Sequence, residues 1–194
     1  VQRRITEGGI TRPRRAESDV RRSTFGASGQ YQGFDWDAYF SYQDSRVVDT
    51  VGRQISVSRA RKALGNSADC LADTDGCVPL DLIGPTGSVT QDMIDYIYAH
   101  KPTSIYDNAL RIYSANISGP VTDWYAGDIY VAAGVEYRTE DASIEHDVGT
   151  NTGDIAFINK QLDTHAPTRN IKEVYVVLAI PLLAEHAFAK HLEL

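Results

Sequence analysis

The chain lacks any apolar run long enough to cross a membrane as a helix. Its longest uncharged apolar stretch, Val174 to Ala184, is broken by Pro181 and falls well short of the roughly 20 residues a spanning helix needs. A helical membrane protein is thereby excluded. No secretory signal is visible either: Val1 to Arg4 leads into polar sequence, not into an apolar core followed by small residues. The expectation is that the chain stays inside the cell or that its true start is missing. An excess of positive charge is lacking too. A formal net charge of -7 over 194 residues disfavours nucleic acid, because the phosphate backbone rewards clustered Lys and Arg. The one basic cluster, Arg3, Arg4, Arg12, Arg14, Arg15, Arg21 and Arg22, has no interleaved stacking aromatics and no groove-reading helix, and reads as a solvated loop and strand face.

Cysteine is scarce. Cys70 and Cys77 enclose LADTDG, a short loop of turn formers that can bring the sulfurs together. A disulfide, which would imply an oxidising compartment, is favoured over free thiols. Zinc is the third option, and two cysteines without nearby histidines cannot complete four ligands locally. Catalytic motifs are also missing. The nearest approach to G-x-S-x-G is Gly26-Ala27-Ser28-Gly29, which lacks the final spacing and suits a strand of small residues. His100, His146, His165, His186 and His191 are dispersed with no HExxH pattern. No catalytic residue, metal or cofactor is therefore assigned. A calcium alternative rests on Asp73 and Asp75, flanked by Asp69 and Asp81, but the closing Glu of an EF-hand loop is not there. Glu140, Asp141, Glu145 and Asp147 read as solvated loop charge, since acid-base work needs an enclosing pocket.

What is present is alternation. Hydrophobic residues make up 42% and charged residues 23%, with a mean hydropathy of -0.31. That balance fits a globular domain and equally a barrel with a wet inner wall. Tyrosine is unusual, with 11 against a single Met, and suits strand surfaces and the membrane-water boundary. From Phe34 to Gln43 one face carries Phe34, Trp36, Ala38, Phe40 and Tyr42 and the other Asp35, Asp37, Tyr39, Ser41 and Gln43, the period-two signature of a strand. The pattern returns from Asp128 to Glu140 and from Lys172 to Leu182, with weaker strands expected at 20–31 and 105–118. These spans approach the 9–11 residues that cross a bilayer as a tilted strand.

A soluble sandwich alternates as well. The connections tip the balance: the one leading to Thr168 is long and polar and the one from Leu183 to Phe188 is tight, and outer-membrane barrels alternate long outer loops with short periplasmic turns. Residues 47–104 break the β pattern and read as a long loop insertion. A short helix is expected there near 88–99, opened by a Ser88/Gln91 capping box and striped by Met93, Ile94, Ile97 and Tyr98 for packing. The expected fold is all-β, mainly antiparallel with one short helix in a long loop, as one domain over 1–194. It would be a partial transmembrane β-barrel, or a soluble β-rich fold if the chain stands alone.

Four stretches, FDWDAYFSYQDSR, CVPLDLIGPTGSVTQDMIDYI, ISGPVTDWYAGDIYVAAGVEYRTE and EVYVVLAIPLLAEHAFAKHLEL, resemble in their order successive barrel segments of TonB-dependent outer-membrane receptors. In AAGVEYR, small Ala132, Ala133 and Gly134 allow close strand neighbours, Glu136 and Arg138 point to the wet side, and Val135 and Tyr137 point to lipid. The resemblance implies uptake of a scarce nutrient, such as an iron chelate, corrinoid or sugar, across a Gram-negative outer membrane, without covalent chemistry. Asp35, Asp37, Glu136 and Arg138 would line the ligand path. Outer-membrane lipid, the remaining barrel and a plug would be partners, and TonB would act only through that plug.

Receptors of this family carry a signal peptide, an energy-coupling box, a plug and a barrel of about 22 strands; the resemblance covers only the early half of the barrel. Alone, the chain is not expected to transport. An incomplete barrel has two open edges, which in lipid cost several kcal/mol per unpaired backbone group. The chain is then a piece of a larger assembly, or has folded otherwise with its edges covered. In the second case it would be a soluble β-rich hydrolase of esters or lactones, its Ser, His and Asp gathered by the fold, or a self-associating binding module with edges paired between copies.

Overall fold

The structure, a computed structural model, describes residues 11–186 and 189–193, with side chains as far as residue 183. Arg3 and Arg4 lie outside the described residues. The chain is mostly antiparallel β-sheet, and the sheet is open. Its strands are β1 (Arg14–Tyr31), β2 (Phe34–Val51), β3 (Thr103–Trp124), β4 (Gly127–His146), β5 (Thr164–His165), β6 (Arg169–Ala179), β7 (Pro181–His186) and β8 (Ala189–Glu193). The helices are α1 (Val57–Ala63), α2 (Ser67–Ala72), α3 (Gln91–Ile97) and α4 (Val148–Thr152). No helix among the described residues is long and apolar enough to cross a membrane.

One sheet runs in the order β1-β2-β3-β4-β5, with β6 also pairing β4, while β7 and β8 form a separate antiparallel pair. β4 and β6 are antiparallel in a register from Tyr130↔Ala179 to Glu140↔Arg169. Connections alternate in length. Gln32 and Gly33, both at positive φ (51° and 85°), close β1 onto β2 as a two-residue hairpin turn, and Tyr125-Ala126 joins β3 to β4. By contrast, 52–102 separate β2 from β3 and 147–168 separate β4 from β6. The turn expected at 184–187 is not formed as such: 184–186 continue β7, and Ala187 lies outside the described residues.

Two compact units divide the chain. The first comprises residues up to Asp19, Arg46–Asp107 and Ser143–His165 and contains the apolar core: Ala63, Cys70, Cys77, Val89, Ile94, Tyr96, Ile97 and Tyr98. Cys70 and Cys77 are bridged, with Cα atoms 5.2 Å apart. Four helices stand where one was expected. Each of α1, α2 and α4 is only five to seven residues long, too short to show a 3.6-residue period, and each is set by its cap. Ser56, Asn66 and Asp147 accept from backbone amides at the helix starts, satisfying donors that would otherwise be orphaned. The helix expected at 88–99 is α3, capped by Thr90 and not by Ser88. The Thr90 hydroxyl accepts from the Met93 amide, and Met93 sulfur accepts from the Thr90 amide.

The second unit, Val20–Ser45, Asn108–Ala142 and Ala166 onward, contributes no residue to the buried apolar core. Cross-strand contacts fix which side chains share a face. Phe40 meets Tyr113 and Tyr113 meets Tyr137, with ring centroids 4.9 and 6.2 Å apart. On the opposite face Thr24 bonds Ser41 (3.0 Å) and Asn116 donates to Asp37 (2.8 Å). One face is thus apolar over Phe25–Tyr31, Phe34–Tyr42, Tyr113–Val121, Ile129–Tyr137 and Val174–Leu178 at alternate positions. It turns polar at Ser23, Asp44, Arg111, Thr139 and Lys172.

Exposure alternates the opposite way to a water-soluble sheet. In β3, Tyr113, Ala115 and Ile117 are exposed while Ile112, Ser114 and Asn116 are half-buried. In β4, Val135 and Tyr137 are exposed while Gly134 is buried and Glu136 and Arg138 are half-buried. Phe25 is 70% exposed and Val174 76%, against 3% for Ser41.

Candidate functional site

The four residues expected to line a ligand path, Asp35, Asp37, Glu136 and Arg138, all fall on the sheltered polar face. They form two groups. Asp35 and Asp37, from β2, border a groove of about 560 Å³ with Gln30, Asn116, Ser118 and Tyr175 among its other walls. Asp35 accepts from the Gln30 amide at 2.7 Å. Asp37 accepts from Asn116 Nδ2, and Asn116 Oδ1 accepts from the Tyr175 hydroxyl at 3.0 Å. Gly134 pairs directly with Tyr175, and a Cβ there would run into that ring and Asn116 Oδ1. The missing side chain lets Tyr175 lie across the strand and reach Asn116, a form of aromatic cover over a strand glycine.

Glu136 and Arg138 belong instead to a charged ladder on β4 and β6. Arg138 lies 3.7 Å from Glu136 and 3.1 Å from Glu140, whose other oxygen is 3.9 Å from Arg169. The contact from Arg138 Nε to Glu140 is close but poorly angled, leaving that nitrogen without a hydrogen bond. The sequence gave no reason to single out Asn116, Tyr175 or Gly134; the only trace was Tyr175 on the polar phase of an otherwise valine-rich strand.

A separate polar hub lies in the first unit. Asp154 Oδ2 accepts from Ser56 Oγ (2.5 Å) and Ser58 Oγ (2.9 Å), and Oδ1 accepts from the Ser58 amide (2.6 Å). His100 Nε2 stands 2.8 Å from Oδ2. Burial alone would raise the Asp154 carboxyl; the bonds from Ser56, His100 and Ser58 outweigh it and hold it at about 2. Asp147 is likewise lowered, with burial opposed by bonds from Thr150, Thr103 and Gly149.

Together Asp154 and Asp147 stitch the 147–163 connection to the 52–104 one. They do so through residues up to 98 positions apart, a proximity no local motif signals. Ser, His and Asp do meet here, but the carboxylate stands between the hydroxyls and the imidazole. A nucleophilic serine needs the base within hydrogen-bond reach, and both hydroxyls donate to Asp154. The other Ser-His contact, Ser104 Oγ to His146 Nδ1 at 2.8 Å, ties the start of β3 to the end of β4.

The calcium alternative is spoken for. Asp73 and Asp75 both hold the Lys62 ammonium, at 2.8 Å for Asp75, and Asp75 also accepts from the Tyr96 hydroxyl at 3.0 Å. Hydrogen bonds from Lys62 lower both carboxyls and raise the lysine. Among the described residues no three His, Cys, Asp or Glu are placed to hold a metal ion. The basic cluster is partly neutralised: Arg14 forks onto Asp49 (2.6 Å), Arg15 pairs with Glu17 (2.5 Å), and Arg12 lies over the Tyr98 ring.

Compared with protein-family models, with curated proteins and with solved structures, the chain matches none.

Proposed function

We propose that the chain is a wall segment of an outer-membrane β-barrel of the TonB-dependent receptor kind, its apolar face against lipid and its polar face toward a nutrient path. The inverted exposure carries this reading: apolar side chains such as Val135 and Val174 stand out from the sheet, while the hydrogen-bonded polar ones are sheltered. In water such a face would be covered by a second layer, and a patch of this extent marks a contact with lipid or protein.

Three further features support lipid. The apolar segments are up to nine residues long, near the 9–11 of a tilted transmembrane strand. Aromatic residues margin the band on both sides, with Tyr31, Trp36, Trp124 and Tyr125 beside the two-residue turns and Tyr42, Tyr113 and Tyr137 at the charged limit, as in the girdles of membrane barrels. Connections alternate short and long, the long ones being the proposed outer loops.

On this reading Asp35, Asp37, Glu136 and Arg138 border the ligand path, β1 and β6 pair with further strands, and a plug would couple the assembly to TonB. The segment binds and encloses; it performs no covalent step and does not transport by itself. Purified full-length chain is expected to need detergent or lipid to stay dispersed, and a monodisperse monomer in plain buffer would overturn the proposal.

A further inference from the structure

The apolar face is not uniform. A shallow depression of about 700 Å³ opens in it, floored by Ala27, Ala38 and Ala115 and walled by Phe25, Phe40 and Tyr113, with Lys172 on its border. Its lining is almost entirely carbon, and its width suits a chain of methylenes more than another flat sheet. Lys172 sits where the apolar band ends, directly opposite Tyr137, and pairs with no carboxylate among the described residues. The neighbouring cation on this margin is occupied: Arg111 lies over the Tyr42 ring and 3.3 Å from Asp141. Beside Lys172, Asn170 Oδ1 accepts from the Tyr137 and Thr139 hydroxyls at 2.9 and 3.2 Å, which orients the amide and leaves its Nδ2 protons free to donate.

Resting on the lipid-facing reading above, we infer that this depression is a binding site for one anionic membrane lipid, an acyl chain lying in the notch and the headgroup phosphate held by Lys172 and Asn170. An aliphatic trough and a free ammonium at the band margin match the two ends of such a molecule. A zwitterionic lipid would bring its own cation to the same place. Bulk attraction does not account for a preference of this sign, since the chain carries a net charge of -7 and repels an anionic surface overall.

The test places the full chain in phosphatidylcholine vesicles doped with brominated lipid, either phosphatidylcholine or phosphatidylglycerol. Trp36 and Trp124 are the only tryptophans, and Trp36 shares the apolar face with Ala38, two residues away. Quenching by brominated phosphatidylcholine reports that the face meets acyl chains. An excess of quenching by the glycerol lipid reports the site.

About a fivefold preference is expected from one lysine at an anionic headgroup. Lys172→Gln, or Ala38→Leu filling the notch, should remove it, and Lys172→Arg should keep it. Equal quenching by the two lipids overturns the site and leaves the lipid-facing wall standing. Preference that survives both Lys172→Gln and Ala38→Leu also overturns the site. Absence of quenching by either lipid overturns the wall, and the site with it.

Discussion

Replacing Asp154 by Asn should weaken the first unit and change how its stability depends on acid. The carboxylate gathers two serine hydroxyls, an amide and an imidazole nitrogen, and its side chain is only 22% exposed. Its carboxyl is held at about 2, against an ordinary 3.8. At 1.36 kcal/mol per unit, that difference corresponds to roughly 2 kcal/mol of stability. Because the folded value is depressed, the contribution is fully present above pH ~4 and disappears as pH falls through ~2. Asn keeps one acceptor but turns a donor toward Ser56, Ser58 and His100, so the variant should already be about 2 kcal/mol less stable at neutral pH. Thermal unfolding followed by circular dichroism at pH 7, 4 and 2 reads both effects. The wild type should lose its advantage over Asp154→Asn between pH 4 and 2. A constant difference across that range would refute the assignment of the depressed carboxyl to these bonds.

Other perturbations have equally definite outcomes. Gly134→Ala should cost about 1–2 kcal/mol in urea unfolding, because its Cβ displaces the Tyr175 ring and breaks the bond to Asn116, outweighing the usual gain from a less flexible unfolded chain; most of that cost should vanish in a Tyr175→Ser background. Val135→Lys, on the apolar face, should cost roughly 2–4 kcal/mol in a bilayer and almost nothing if the face is simply wet, as unfolding in vesicles would show. Replacing Cys70 and Cys77 by Ala should destabilise the first unit by roughly 2 kcal/mol through the loop it leaves open, measured as a lower melting temperature.

The strands were legible where one face is apolar and the other polar, as from Phe34 to Gln43 and from Asp128 to Glu140. They were invisible where both faces carry charge, as from Arg14 to Asp19 and from Asp44 to Asp49, because period-two patterning needs contrast. That is why β1 begins at Arg14 and β2 runs on to Val51, beyond the expected limits. Short range was legible as well: eight residues with turn formers were enough to favour a Cys70–Cys77 bridge. The acidic residues within that loop were open to a metal reading only because Lys62, more than ten positions upstream, was out of sight. The short helices depend on single capping side chains, and the Asp154 hub on pairings between distant connections, so neither leaves a local trace. Of the candidate path residues, alternation alone put Asp35, Asp37, Glu136 and Arg138 on one face, but the groove's Asn116 and Tyr175 required knowing which strands pair.

The central claim is that the exposed apolar face meets lipid. It is tested most directly by placing an environment-sensitive fluorophore, one position at a time, on cysteines introduced at Ala133, Gly134, Val135, Glu136 and Tyr137 of the chain in vesicles, then comparing quenching by a bilayer-soluble nitroxide with quenching by aqueous iodide. The account predicts strict alternation, with 133, 135 and 137 quenched from the bilayer and 134 and 136 from water. Uniform quenching by iodide at all five positions would contradict it.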